Sequence, residues 1–223
     1  MRKLHEQVRE LEKEMLILGS MVTDAIENSM KALIDLDINK ATSVIKNDES
    51  INNKRWEIEE KALEVIATQQ PVAIELRDII AIIHITIELE RIGDHAKGIA
   101  QIVKMHGRKP HAKPLIDLPR MAQIDKEMLI ESLNAFKTRD IAKAREVIKK
   151  DNLVDKLNEQ IFRELLTYMI DEPRIIKRAI YLTWVSHNLE RIADRITNIC
   201  ERIIFLVTGK LLINESGANT GKD

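Results

Sequence analysis

Acidic side chains recur four residues apart at positions where an apolar helical face should run. Glu190 and Asp194 share one face with Asn198, Glu201 and Phe205 ahead of them and with His187, Thr183, Ile180, Ala179 and Ile176 behind, because side chains three and four apart point the same way from a helix. Asp151 and Asp155, with Asn158 or Glu159, form a second ladder in line with Ile148, Phe162 and Leu166. No lysine or arginine falls on either stripe. Two earlier ladders repeat the theme more weakly: Asp48, Asn52 and Glu59, and then Glu90 and Asp94.

Such ladders carry a cost. Like charges four apart destabilise a helix by roughly 0.2–0.5 kcal/mol per pair, and burial of an unpaired ion costs several kcal/mol. The carboxylates must therefore be protonated, face water, or be compensated by a bound cation. Oxygen donors with at most one histidine suit hard or borderline ions, namely Mg²⁺, Mn²⁺, Ca²⁺ or iron. The candidate ligands are Asp151, Asp155, Glu190, Asp194, Asn198 and Glu201, with Asp48, Glu90 and Asp94 in the first half. There Asn52 stands for Asp155, and Gly98 and Gln101 stand for Asn198 and Glu201. Lys97 joins that stripe and can neutralise it without metal. The expectation is that the second half binds cation better than the first. The plain alternative is a solvated helical face, the ordinary reading of any single pair, and four ladders in register set a cation or polar site level with it. His187 reads either as a ligand or as a hydrogen-bonded rim residue, and His84 and His95 as surface residues.

The elements that must position these groups follow from a duplication. Asp37 to Asp48 (DINKATSVIKND) returns as Asp140 to Asp151 (DIAKAREVIKKD), and Leu89 to Asp94 (LERIGD) as Leu189 to Asp194 (LERIAD). Leu4, Val8, Leu11, Met15, Leu18, Val22, Ile26, Met30 and Leu33 recur with the period of a buried helical stripe. Asp37 is placed to cap a second helix running to about Thr68, and Pro71 to open a third running to about Met105. The second half predicts helices near Ile116 to Lys137, Asp140 to Ile170 and Pro173 to about Val207. Met105 to Pro119, with three prolines and one glycine, reads as a linker. The fold class is all-α: two tandem antiparallel three-helix bundles, residues 1–108 and 109–208, with 209–223 a frayed tail. Counted outward from a reversal near Asp171, the 151/155 and 190/194 pairs differ in height by only about 4 Å, so the two ladders should meet.

Composition narrows the function. Thirty-five Lys plus Arg against 36 Asp plus Glu leave a charge of −1, which argues against nucleic-acid binding. Aromatics at 3% and seven glycines argue against sheets. The single Cys200 excludes an internal disulfide and reads as a packed small hydrophobe. No secretory leader and no run near the ~20 apolar residues of a membrane span are read, so a cytoplasmic location without membrane insertion is expected. No histidine follows a glutamate by three residues, as a ferritin-like di-iron site needs, and phosphate-loop, HExxH and GxSxG motifs are missing.

QQPVAIELRDI at Gln69 to Ile79, LERIGDHAKGIAQ at Leu89 to Gln101 and NLERIADRITNICE at Asn188 to Glu201 closely resemble the PhoU family of phosphate-transport regulators. The resemblance spans nearly the whole chain. It implies a two-lobed fold of three-helix bundles in a cytoplasmic, often dimeric, non-enzymatic regulator. Its implied partners are a phosphate ABC transporter and a sensor histidine kinase, and its role is repression of the starvation response. It also implies metal clusters at E/DxxxD motifs, which map onto Glu90 and Asp94, Glu190 and Asp194, and Asp151 and Asp155, while Asp48 with Asn52 departs from the pattern. The competing class is a metal-dependent enzyme or metal buffer.

Overall fold

Apolar residues at helical spacing bury one stripe of each segment, and six long helices result among the described residues. A computed structural model describes residues 2–210. The helices are α1 (Arg2–Asp35), α2 (Ile38–Gln69), α3 (Ile74–His106), α4 (Asp117–Thr138), α5 (Ile141–Asp171) and α6 (Ile176–Thr208). All nine apolar positions of the α1 stripe, Leu4 to Leu33, are buried. The expected frayed tail lies outside the described residues except for Gly209 and Lys210.

The duplication is written into the caps. Asp37 accepts hydrogen bonds from the Asn39 and Lys40 amides at 2.9 and 3.0 Å, and Asp140 accepts one from Lys143 at 3.0 Å. Each satisfies amide donors that the helix leaves open. Just before them Leu36 and Arg139 take left-handed φ of 52° and 55°. The following amides turn back onto Ala32 and Ala135 at 2.9 and 3.0 Å, closing the helices as left-handed C-caps do. Ser29 and Ser132, both buried, bond the carbonyls of Ile26 and Leu129.

Two boundaries differ from the sequence reading. Helix α3 begins at Ile74 rather than at Pro71, because Gln70 and Ala73 both take positive φ and the chain turns twice before it coils. Pro173 opens a 3-10 turn, Pro173–Ile175, and α6 follows it. In the linker, Pro119 lies inside the first turn of α4, where no amide hydrogen bond is lost.

Helices α1–α3 form one bundle and α4–α6 the other, but a single apolar core runs through both. Helix α3 packs on α6 as extensively as on α1, and α1 also meets α4. Gly19 permits that last approach, since a Cβ there would collide with the Leu133 side chain. The linker is tied down: His111 Nε2 lies 2.9 Å from the Leu33 carbonyl, Arg178 donates to the Pro110 carbonyl at 2.7 Å, and buried Lys113 pairs with Glu164.

Candidate functional site

The α5–α6 hairpin reverses at Pro173, and the equal lengths on either side bring the two ladders of the second half together. Asp151 is half-buried and feels Asp155, Asp194 and Glu190. Burial first, and then these three like charges, push its carboxyl up to about 6. Asp155 is raised for the same reasons, burial and then Asp194. Two of the hydrogen-bond deficits are here: Asp151 Oδ1 and Glu190 Oε2 are buried without a hydrogen bond. Among the described residues the positive charge beside this group is on α6. Arg191, off the stripe, reaches Asp194 at 2.9 Å and Glu190 at 3.6 Å, and exposed His187 stands 3.2 Å from Glu190.

A fifth carboxylate joins from α4. Asp125 is fully buried, its pKa is raised by burial and then by Asp151, and neither oxygen has a hydrogen-bond partner. Sequence reading missed it because it is a lone acid inside an apolar stripe. The signal available was the repeat, since its mate in the first half is buried Val22.

The first half solves the same problem with its own cation. Lys97 Nζ bonds Asp48 Oδ2 at 2.6 Å and stands 3.7 Å from Asp94. Asn52 donates to the same Asp48 oxygen at 3.2 Å. The bond to Asp48 raises the Lys97 pKa. Glu59 is held by Arg55 at 3.0 Å. Glu90, raised by burial and then by Asp94, also lies near Arg55, Arg91 and Asp48. The neutralisation expected at Lys97 is thus present in the geometry.

Asn198 points elsewhere, and Glu201 is not among the charges acting on Asp151 or Asp155. Asn198 donates to Glu88 of α3 at 3.3 Å, and Glu201 lies beside buried Cys200, whose thiol burial drives up to about 12. Asn158 accepts from Ser186 at 2.6 Å, and Glu159 is exposed and paired with Arg163. The reading of His84 and His95 as surface residues is corrected. Both are partly buried: His95 Nδ1 meets Asn188 Oδ1 of α6 at 3.1 Å, and Arg202 of α6 adds to the burial that lowers the His84 pKa. The polar face of α3 is covered by the other repeat. Gly98 makes room there, because a Cβ would come within 2.9 Å of Asn188 Oδ1.

Beside the acidic cluster a groove of about 540 Å³ opens between α5 and α6, lined by Asp155, Asn158, Phe162, Thr183, Trp184 and His187 among others. Toward the hairpin tip it continues as exposed apolar side chains on both helices, Phe162, Leu166 and Ile170 against Trp184, Ile180 and Ile176. Among the described residues, no three His, Cys, Asp or Glu side chains are placed to hold one metal ion as they stand. The second-half carboxylates share a field without closing a coordination sphere.

Fold and site define a duplicated helical protein with an acidic cluster between the last two helices of each repeat, met by Lys97 in the first and by Arg191 at the edge of the second. The chain belongs to the PhoU family, whose domain matches residues 15–103 and 118–203. It is 40% identical over 211 residues to a phosphate-specific transport system accessory protein PhoU homolog of Clostridium acetobutylicum, covering 94% of this chain and 96% of that protein. A homolog of the same description from Aquifex aeolicus is 37% identical, over 94% and 95% of the two chains. The crystal structure of PhoU from Pseudomonas aeruginosa superposes with a TM-score of 0.88 at 32% identity, covering 92% of this chain and 99% of that one. That of the phosphate transport system regulatory protein PhoU from Streptococcus pneumoniae gives 0.87 at 30%, over 94% and 99%.

Proposed function

We propose that this chain is a non-enzymatic accessory regulator of phosphate-specific transport, acting in the cytoplasm as a homodimer and docking on a phosphate ABC transporter and on a sensor histidine kinase. Relatives spanning almost the whole chain bear that accessory description. The observation that carries docking is the exposed apolar face of the α5–α6 hairpin, running from Ile170 and Ile176 down to Phe162 and Trp184 and ending at the carboxylates. Aromatic anchors within an apolar patch are what protein interfaces concentrate.

The second-half carboxylates would hold a hard cation, with Asp151, Asp155, Glu190 and Asp194 as the donors. The buried Asp151 Oδ1 without a hydrogen bond and the raised Asp151 and Asp155 carboxyls support that reading. When bound, the ion would add positive charge to acids that otherwise meet the Arg191 guanidinium of α6, and would draw the two helices together beneath the groove. Regulation then requires that partners prefer one of the two states, since a ligand shifts an equilibrium only by its differential affinity.

The test is biolayer interferometry of the purified chain on the transporter's ATPase subunit and on the kinase's cytoplasmic region. Phe162→Ala with Trp184→Ala should weaken binding at least tenfold while circular dichroism and melting stay unchanged. Wild-type affinity in the double variant would place the interface elsewhere, and failure of the wild type to bind either partner would overturn the function.

A further inference from the structure

Two imidazoles close the seam between the repeats, and each keeps one nitrogen bare. His106 ends α3 and is 5% exposed, and His111 lies half-buried further along the linker. Their ring centroids are 4.9 Å apart. A carbonyl oxygen only accepts, so the nitrogens that meet carbonyls must carry the protons. His106 Nδ1 donates to the Gly107 carbonyl at 3.3 Å, and His111 Nε2 donates to the Leu33 carbonyl of α1 at 2.9 Å. The other two nitrogens, His106 Nε2 and His111 Nδ1, are buried without a hydrogen bond. Both rings are neutral in this arrangement.

The surroundings demand that neutrality. From α6, Arg178 adds positive charge near His106, and the Tyr181 ring stands 6.1 Å from it with Lys177 over its own face. From α1 the pair meets the carbonyls of Leu33 and Ile34. Among the described residues no carboxylate acts on either ring; Asp117 of α4 and Glu164 of α5 are engaged by Lys113. Burial lowers both pKa values, helped by Arg178 at His106 and by His106 at His111. What the pair holds is the linker: His111 bonds it to the first repeat, whereas Arg178 and Lys113 bond it to the second. Tyr181 also packs on Trp184, with ring centroids 5.6 Å apart, and Trp184 lines the α5–α6 groove.

We propose that the His106–His111 pair is an acid-sensitive latch between the repeats: as the two rings take up protons from solvent they part, His111 leaves the Leu33 carbonyl, and the linker lifts from the end of α1. Once the linker is open, both rings return to the ordinary histidine range near about 6.5, so the open form binds protons more readily than the closed one. The latch is therefore shut above about 6.5 and opens progressively as the pH falls below it. Opening takes from Tyr181 the ring beside it, and through Tyr181 it reaches the Trp184 wall of the groove, whatever docks there.

The experiment is limited tryptic cleavage of the full chain after exposed Arg108, because Pro110 blocks the cut after Lys109. Rates are taken at about pH 7.5 and about pH 5.5, each divided by the rate for a free peptide of residues 104–118 at the same pH, so that the ratio reads the open fraction. Wild type is compared with His106→Asn plus His111→Gln, whose side-chain amides keep both donors and do not titrate in this range. The wild-type ratio should rise at least about fivefold on acidification, and that of the double variant should stay level. Ring resonances of wild-type His106 and His111 give a second reading that needs no variant to fold, and both should titrate below about 6.5. A level wild-type ratio, an equal rise in the double variant, or ring titrations at or above the ordinary value would each overturn the latch.

Discussion

Replacing Lys97 by methionine removes the cation that the first repeat carries for itself. Asp48 has a side chain only 5% exposed, and Lys97 Nζ is 2.6 Å from it. Stripping one partner from a buried pair costs ~3–5 kcal/mol. Two features of the site reduce that. Lys97 is 30% exposed, so part of its attraction is already screened by water, and Asn52 remains as a donor. An isolated carboxylate can also escape by taking up a proton, at about 4 kcal/mol for an ordinary acid at neutral pH. The expected loss is about 3 kcal/mol in urea-induced unfolding, read as a lower midpoint at unchanged m-value. Adding Asp48→Leu should restore most of it, because an apolar pair of similar volume replaces a buried ion pair at little cost. Lys97→Met should also make the first half responsive to Mn²⁺, raising its midpoint more than that of wild type. A loss below about 1 kcal/mol, or no added response to Mn²⁺, would refute the view that Lys97 occupies the cation's place.

Three further outcomes follow from the same geometry. Asp151 is raised to about 6, so the folded protein holds its proton more tightly than the unfolded chain, and stability from this group falls as pH rises from the ordinary carboxylate range through about 6. Metal-free Asp151→Asn should therefore gain about 1 kcal/mol on wild type between about pH 4.5 and 7.5, after discounting for partial exposure; because both proteins share the buried histidines, a flat difference would sink the point. Gly98→Asn, which installs the second repeat's residue, should cost about 1 kcal/mol by displacing Asn188 from His95, seen as a lower melting temperature and an altered His95 resonance. Cys200, buried and pushed to about 12, should resist thiol reagents in the native protein and react fully in urea; rapid native labelling would contradict the packing of α6.

Much of the fold was legible because each helix announces one buried stripe and the duplication checks the boundaries, with Asp37 and Asp140 capping as expected. The meeting of Asp151 and Asp155 with Glu190 and Asp194 was legible too, since counting outward from one hairpin fixes relative height. What escaped was set by contacts between repeats or by single residues. The α3–α6 packing buries His84 and His95 on a face that looks polar and solvated when one repeat is drawn alone, and it takes Asn198 to Glu88. Arg191 sits off the acidic stripe, yet its length lets it reach back to Asp194. Asp125 has no acidic neighbour in sequence, so only superposing the repeats, where it faces Val22, exposes it.

The central claim is that the second repeat takes a cation where the first supplies Lys97. Mn²⁺ binding to the full chain measured on Asp155→Asn with Asp194→Asn, and separately on Glu90→Gln with Asp94→Asn, tests it most directly. The account predicts that the tightest binding disappears in the first pair and persists in the second. Retention of that binding without Asp155 and Asp194, or its loss with Glu90 and Asp94, would contradict it.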